Sequence, residues 1–535
     1  MNRKTLVLPA LAGLLAPALA ACGSSDGTGS GGSPIVVGVA SQIEATKEAP
    51  APLDPAAAYD IDAWNVLRSA FQTLMRVPRS GTAPVPEAAE SCGFRDTQNE
   101  QYRCTLRSGL KFSNGHALTA TDVKFSIDRL RTINYTNGPV SLLNDVDRVE
   151  TPSDREVVFH LTKPDATFPQ KLATPAAAIV DSQVYPKNAL YKGWETVGSG
   201  PYTLKTEHGG DRLSKADFTK NPEYKGGLTV KNDKVEMRFF DDSADMEQAL
   251  RKGQIDLLSR GLTPKQVKGL QNSGDKHLML QEMPGQEIRY LAFNTNDPAV
   301  SNKAVRQAIA QVVNRSQLVR DVYSYTADPL YSLVPTGVTG HINSFFTKYG
   351  NPNVAAARQT LQQAGINTPV KFTLTYSKNH YGSSTAKEFA ALQQQLNSSK
   401  LFDVTIKGID RWQQFRTDES DHKYAAFGMG WFADLPDADN YLAPFVGKGN
   451  FLNSPYRNDK IESQLIPGTR QQTDRNAAAA GFKQVQDILA DDVPFLPLWQ
   501  GKQYVAARDN ITGVEWAVNS TSALQIWELG RGVSS

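Results

Sequence analysis

The sequence predicts an α/β protein. Segments with strand-like and helix-like apolar spacing alternate along almost the whole chain, a pattern that favours mixed α/β domains. Its 535 residues suffice for roughly two or three such domains with sizeable cores. Beyond the extreme N-terminus, no apolar run approaches membrane-spanning length. The formal net charge of +2 offers no basic field for a nucleic-acid partner. No internal repeat interrupts the pattern.

The chain opens with Arg3 and Lys4, an apolar stretch from Leu6 to Ala21, and the tetrapeptide Leu19-Ala20-Ala21-Cys22. A charged start, a short apolar run and small residues before a break read as a secretion signal. The Gly/Ser-rich segment from Gly23 to Gly32 then reads as a flexible linker. The arrangement resembles the bacterial lipoprotein signal, in which the cysteine carries the lipid; the alternative is an ordinary signal peptide cut nearby. The resemblance implies a signal at 1–21, lipidation of Cys22, a tether at 22–34, and a body held on the extracytoplasmic face of a bacterial membrane. Losing Arg3 and Lys4 leaves the mature chain near zero charge. Cys92 and Cys104 are then an even pair in an oxidising compartment, so a disulfide stapling a hairpin is expected.

The mature chain begins with a buried strand at 35–40 and a turn at Leu53-Asp54-Pro55. Trp64, Leu67, Phe71 and Leu74 follow at helical spacing. Residues 102–106 read as a strand and Ser113-Asn114-Gly115 as a tight turn. Thr119 with Asp122 starts a helix as a capping-box variant, and 155–161 alternates like a half-buried strand. After the break at Gly198-Ser199-Gly200-Pro201-Tyr202 come strands at 202–205, 235–240 and 278–283. Thr263-Pro264 with Gln266 predicts a helix start. Residues 289–294 are a strand, Ser301 caps a helix, and Asn353 starts another that stops at Gly365. A strand at 372–376, a helix at 384–396, strands at 403–409 and 425–431, a helix at 473–489, and strands at 495–499 and 504–507 complete the chain.

No catalytic constellation emerges. The seven histidines show no metal-ligand spacing, and no phosphate-cradling glycine loop occurs. Gly23-Ser24-Ser25-Asp26-Gly27 fits a nucleophile-elbow pattern, but it lies in the tether, where no strand can feed a helix. The segment Trp431-Phe432-Ala433-Asp434-Leu435-Pro436-Asp437-Ala438-Asp439-Asn440-Tyr441 follows an apolar strand and ends in a loop. A carboxylate beside indole and phenol rings suits an amine-bearing ligand. Composition reads Asp437 and Asp439 as solvated turn residues and leaves Asp434 open between site and surface.

Four ordered motifs carry a resemblance to one family. They are Leu106–Val123 (Leu-Arg-Ser-Gly to Thr-Asp-Val), Gly198-Ser199-Gly200-Pro201-Tyr202 with Asn221-Pro222-Glu223-Tyr224, Phe293-Asn294 with Val305-Arg306-Gln307-Ala308-Ile309, and Trp431-Phe432-Ala433-Asp434-Leu435-Pro436-Asp437. The chain resembles the solute-binding proteins of oligopeptide-, dipeptide- and nickel-type ABC importers. The resemblance implies a two-lobed periplasmic-binding-protein-like fold (type II, cluster C) with an extra domain. Lobe I would comprise 35–70, 197–288 and 495–535, the extra domain 71–196, and lobe III 289–494. It implies a monomer without catalysis or cofactor that closes on short peptides by hinge motion and hands them to a permease driven by an ATPase. The same fold with a nickel chelate, haem, an oligosaccharide or a signalling peptide is the alternative, as are a non-transporting receptor and a secreted hydrolase. Asp434 would hold the ligand's α-amine, with Trp431, Trp412, Arg411 and Tyr325 as candidate lining residues. Leu435 departs from the pattern, which often has an aromatic residue there.

Overall fold

Two large sheets and one small one organise the chain. The computed structural model describes residues 32–47, 49–378 and 380–532. The signal at 1–21, Cys22 and the tether up to residue 31 lie outside the described residues. Everything from Pro34 onward belongs to one compact unit.

The first sheet has seven strands, in the order Leu278–Met283, Gln503–Arg508, Leu257–Ser259, Ile35–Val39, Lys234–Phe239, Arg212–Lys220 and Tyr202–Gly209. Ile35–Val39 sits near its middle, parallel to both neighbours. Its near-continuous apolar sequence suits that place, because a central parallel strand is covered on both faces. The second sheet has six strands, in the order Ala327–Pro329, Phe495–Gly501, Ile288–Phe293, Ala426–Trp431, Val370–Ser377 and Phe402–Ile409. Ile288–Phe293 and Ala426–Trp431 are buried at every position. One face packs Leu291, Phe293, Leu374 and Phe389; the other packs Tyr290, Phe415, Trp431 and Phe445.

The small sheet is antiparallel, in the order Ala89–Phe94, Gln101–Leu106, Glu156–Leu161 and Val146–Ser153. The Ala120–Ile133 helix lies over it, with the expected Thr119–Asp122 capping box in place. Cys92 and Cys104 stand opposite one another on adjacent strands and form the expected disulfide.

Three expectations change. Phe495–Gly501 pairs with Ile288–Phe293 in the second sheet, so the chain returns to the first sheet at Gln503–Arg508 rather than at 495. The expected break between 70 and 71 falls inside one continuous core that joins Val37 and Phe218 of the first sheet to Tyr102 and Phe159 of the small one. The helix expected from 473 begins at Ala479; residues 473–478 form turns, held where the Arg475 guanidinium donates to the Thr469 and Gln472 carbonyls. A smaller shift is the cap expected at Ser301, which belongs to Asn302, whose side chain accepts from the Ala304 N–H.

One motif explains how the site is positioned. The Ile61–Ala70 helix starts at Asp60, whose carboxylate accepts from the Asp62 and Ala63 N–H groups. It ends against Gly198 and Gly200: the Gly200 N–H donates to the Ala70 carbonyl at 2.9 Å, and a Cβ on Gly198 would sit 2.1 Å from that oxygen. Asn221 holds the turn by donating to the Gly200 carbonyl. These glycines therefore set the end of the helix that carries Trp64 and Arg68.

Candidate functional site

Asp434 follows the buried strand Ala426–Trp431, at the point where the chain leaves the second sheet. Its N–H donates to Asn440 Oδ1 at 2.9 Å, and Asn440 Nδ2 donates back to Asp434 Oδ2 at 3.2 Å. Trp431 Nε1 donates to the same Asn440 Oδ1 at 3.3 Å. The fourth contact comes from 375 residues away in the sequence, where the Tyr59 hydroxyl donates to Asp434 Oδ2 at 3.1 Å. Both side-chain bonds thus land on Oδ2.

A run of aromatic rings leads from Trp431 to Tyr59, whose hydroxyl reaches this carboxylate. Trp431 lies 5.4 Å from Phe445 and 6.0 Å from Phe451, Phe451 lies 6.0 Å from Tyr59, and Tyr59 lies 5.5 Å from Trp64. Burial pushes the Asp434 carboxyl up to about 6, against the Asn440 and Tyr59 hydrogen bonds and the charge of Arg68. Such a group is poised to gain from a cation brought beside it. Arg68, one turn beyond Trp64, has its guanidinium carbon 5.5 Å from the Trp64 ring. Burial pushes it down to about 10, with Asp434 opposing.

A second aromatic and basic patch lies at Phe432, two residues before Asp434. Phe432 has Arg260 at 5.1 Å and Arg289 at 5.7 Å. Arg260 is paired with Asp62 at 2.7 Å and Arg289 with Glu287. Arg289 also lies over Tyr381 at 4.2 Å. Trp412 is here, stacked on His380 at 3.6 Å with Phe415 behind it at 5.6 Å.

Of the expected site residues, the structure brings Asp434 and Trp431 together and puts Trp412 in the second patch. Arg411 is exposed at the N-cap position of the Trp412–Ser420 helix, with no side-chain cap bond. Tyr325 is 62 % exposed after the Arg315–Asp321 helix, and no described contact links it to the Asp434 cluster. Asp437 and Asp439 are not solvated turn residues. They are 4 % and 3 % exposed, and Arg475 and Arg470 each grip one of them through two hydrogen bonds of 2.7–2.9 Å. Sequence reasoning missed Tyr59 and Arg68. A signal was present for Arg68: it is a cation four residues after Trp64 on a helix whose other positions are largely apolar.

Among the described residues no group of three or more His, Cys, Asp or Glu side chains could hold a metal ion, and no helix is long and apolar enough to cross a membrane. Residues 83–453 match the family described as bacterial extracellular solute-binding proteins, family 5 Middle. A glutathione-binding protein of Salmonella typhi is 27% identical over 433 residues, covering 78% of this chain and 81% of its own length. A probable D,D-dipeptide-binding periplasmic protein of Escherichia coli is 25% identical over 477 residues, 87% and 89% of the two chains. The ABC transporter-associated periplasmic binding protein DppA of Helicobacter pylori, solved with the peptide STSA, superposes with a TM-score of 0.78 at 21% identity. That alignment covers 94% of this chain and 98% of the other, and it speaks to the fold.

Proposed function

This chain belongs to the bacterial extracellular solute-binding proteins of family 5, and from that membership we propose that it captures short peptides beside Asp434 and delivers them to an ABC importer. Its family is one of transport binding proteins rather than enzymes. The observation that carries the peptide reading is the Asp434 carboxylate, largely buried, bonded from both halves and pushed up toward neutrality. A peptide's terminal ammonium placed beside Asp434 favours its ionised form and adds to the opposing charge of Arg68. The Trp431, Phe451, Tyr59 and Trp64 rings then shield the pair from water and offer apolar surface to the first side chain. Because Tyr59 and Asp434 come from different halves, a ligand held between them favours the arrangement in which the halves meet. The relatives named for glutathione and dipeptide binding support this ligand class.

Lipidation at Cys22 would keep the protein beside its permease on the outer face of the membrane, and the Cys92–Cys104 disulfide suits that oxidising side. Calorimetry with a free tripeptide and its N-acetylated form tests the reading. The free peptide should bind, and acetylation should cost about 2–5 kcal/mol, as when one member of a buried charge pair is removed. Equal affinity for the two forms would remove the ammonium, and Asp434 with it, from recognition.

A further inference from the structure

Beside the Ile61–Ala70 helix lies a cavity of about 60 Å³ that the peptide reading leaves unused. Its walls include Arg68 of that helix, Thr73 and Arg76 beyond it, Ala178, and the C-terminal residues Asn519 and Gln525. Two guanidiniums and one carboxylate, Glu87, border it, so its lining carries a surplus positive charge. Glu87 is fully engaged. It accepts from the Tyr224 hydroxyl, from the Gly227 N–H at 3.1 Å and from the Gln72 amide at 3.3 Å, and it pairs with Arg76 at 3.1 Å. Arg76 is neutralised by that pair, and the surplus falls on Arg68. Asp434 acts on Arg68 through its charge, but no hydrogen bond joins the two among the described residues. Arg68 Nη1 donates to the Ala173 carbonyl at a long 3.4 Å, and its Nε is buried with no hydrogen-bond partner. Asn519 Oδ1 accepts from the Thr521 and Ala523 N–H groups at 3.1 and 2.9 Å, which leaves its Nδ2 to donate. The cavity thus joins a surplus cation and open donors to a space of a few waters' size.

We propose that this cavity is a second binding site, for a small carboxylate or oxyanion, and that its occupant acts on the Asp434 site through the charge of Arg68. An anion of acetate's size meets the guanidinium with charge-assisted hydrogen bonds, whereas water satisfies the donors and leaves the charge. Arg68 stands between the two sites. Its guanidinium carbon lies 5.5 Å from the Trp64 ring, Trp64 lies 5.5 Å from Tyr59, and the Tyr59 hydroxyl bonds to Asp434. The positive charge of Arg68 favours the ionised form of Asp434, and by the same field it repels a ligand ammonium placed there. An anion in the cavity cancels part of that field, so the ammonium gains more from Asp434. The coupling is reciprocal: a bound peptide strengthens the anion by the same factor. The anion site stands without the peptide reading, while its effect on the ligand rests on that reading.

The test is thermal unfolding and calorimetry on the full chain. Sodium acetate is the probe, and sodium gluconate, an anion too large for the cavity, holds the ionic strength. Acetate should raise the melting temperature saturably, and at saturating acetate a free tripeptide should bind about fivefold more tightly at pH 7.5. Ala178→Leu, which fills the cavity and keeps Arg68, should lose both acetate effects and bind the tripeptide as the wild-type chain does in gluconate. Arg68→Gln is a second check that does not depend on how the packed wall tolerates leucine: it should lose the acetate-dependent rise, and Arg68→Lys should keep part of it. A wild-type melting temperature that does not respond saturably to acetate overturns the site. A rise that survives both Ala178→Leu and Arg68→Gln places the anion elsewhere and overturns it too. Saturable acetate binding with unchanged tripeptide affinity overturns the action on Asp434. If no free peptide binds in either salt, the peptide reading fails, and the acetate-dependent melting temperature still decides the anion site.

Discussion

Asp434 is the centre of the proposed site, and its protonation offers a way to test that role. Burial holds its folded-state pKa at about 6, above the ordinary carboxylate value. Tyr59 and Tyr441 are pushed further up by burial and then by Asp434, and Arg68 stays near 10, but Asp60, which caps the helix carrying Trp64 and Arg68, is also pushed up to about 6 by burial. A ligand ammonium favours the ionised form, so binding must release a proton from whatever fraction is still protonated. Affinity should therefore be level above pH 7 and fall by up to about tenfold per unit, ~1.4 kcal/mol, below pH 6. The sign for the ligand-free fold is opposite. A raised folded pKa contributes stability that is fully present below the ordinary carboxylate value and is lost as pH rises through 6. Ligand-induced gains in melting temperature should thus be larger at pH 7.5 than at pH 5, and Asp434→Asn should abolish that difference. A dissociation constant that is the same at pH 5 and pH 7 in the wild-type chain would remove Asp434 from the amine site. The aspartate and its tryptophan were legible in the sequence because they sit together on a strand end. Asp437 and Asp439 were misread because the arginines that bury them lie 38 and 31 residues away, and local composition carries no trace of that pairing.

The elements that sequence reasoning located well are those whose ends are chemically marked. Thr263 accepts from the Gln266 N–H and Gln266 returns a bond to the Thr263 N–H, so the helix Pro264–Gln271 starts where the residues say it must. Asn353 likewise caps Val354–Gln363. The strand Phe495–Gly501 is apolar from Phe495 to Trp499 and fits either sheet; pairing with Ile288–Phe293 decides it, and that is a long-range fact. The glycine motif at 198–200 was legible as a backbone device but not as a device of the site. It presses on the end of the Ile61–Ala70 helix, and the atoms a Gly198 side chain would meet are the Ala70 carbonyl carbon and oxygen and the edge of Phe71. Backbone atoms cannot swing aside, so Gly198→Ala must move the helix. The expected cost is about 1–3 kcal/mol of stability, the range for overpacking. A loss of peptide affinity should accompany it, because the same helix carries Trp64 and Arg68. Urea unfolding and calorimetry on one preparation check both, and unchanged affinity in a destabilised variant would show that this helix does not position the site.

At the scale of the whole molecule, the Asp434 loop is tied to more than Tyr59. The loop holding Asp434 and Asn440 is joined through Asp437 and Asp439 to Arg475 and Arg470, and the segment between those arginines bonds to residues beside the small sheet. The Ala166 N–H donates to the Arg470 carbonyl at 2.8 Å, Asn99 Nδ2 donates to the Gln471 carbonyl at 2.9 Å, and the Thr473 hydroxyl donates to Asn99 Oδ1 at 2.9 Å. Arg470 itself lies 3.8 Å from Asp145. Asn99 is buried with φ of 61°, a left-handed conformation that asparagine tolerates and most residues do not. Its side chain makes two bonds to the 470–473 segment, each worth about 0.5–1.5 kcal/mol. Asn99→Gly keeps the backbone conformation accessible and removes both bonds. The meeting of the halves should then weaken by about 1–3 kcal/mol, raising the peptide off-rate while leaving the on-rate nearly unchanged. Small-angle scattering should show a more extended ligand-free particle that returns to wild-type dimensions at saturating peptide. Identical scattering and an identical off-rate in the variant would mean that the extra domain takes no part in closure, and that the Tyr59–Asp434 contact and the ligand alone bring the halves together.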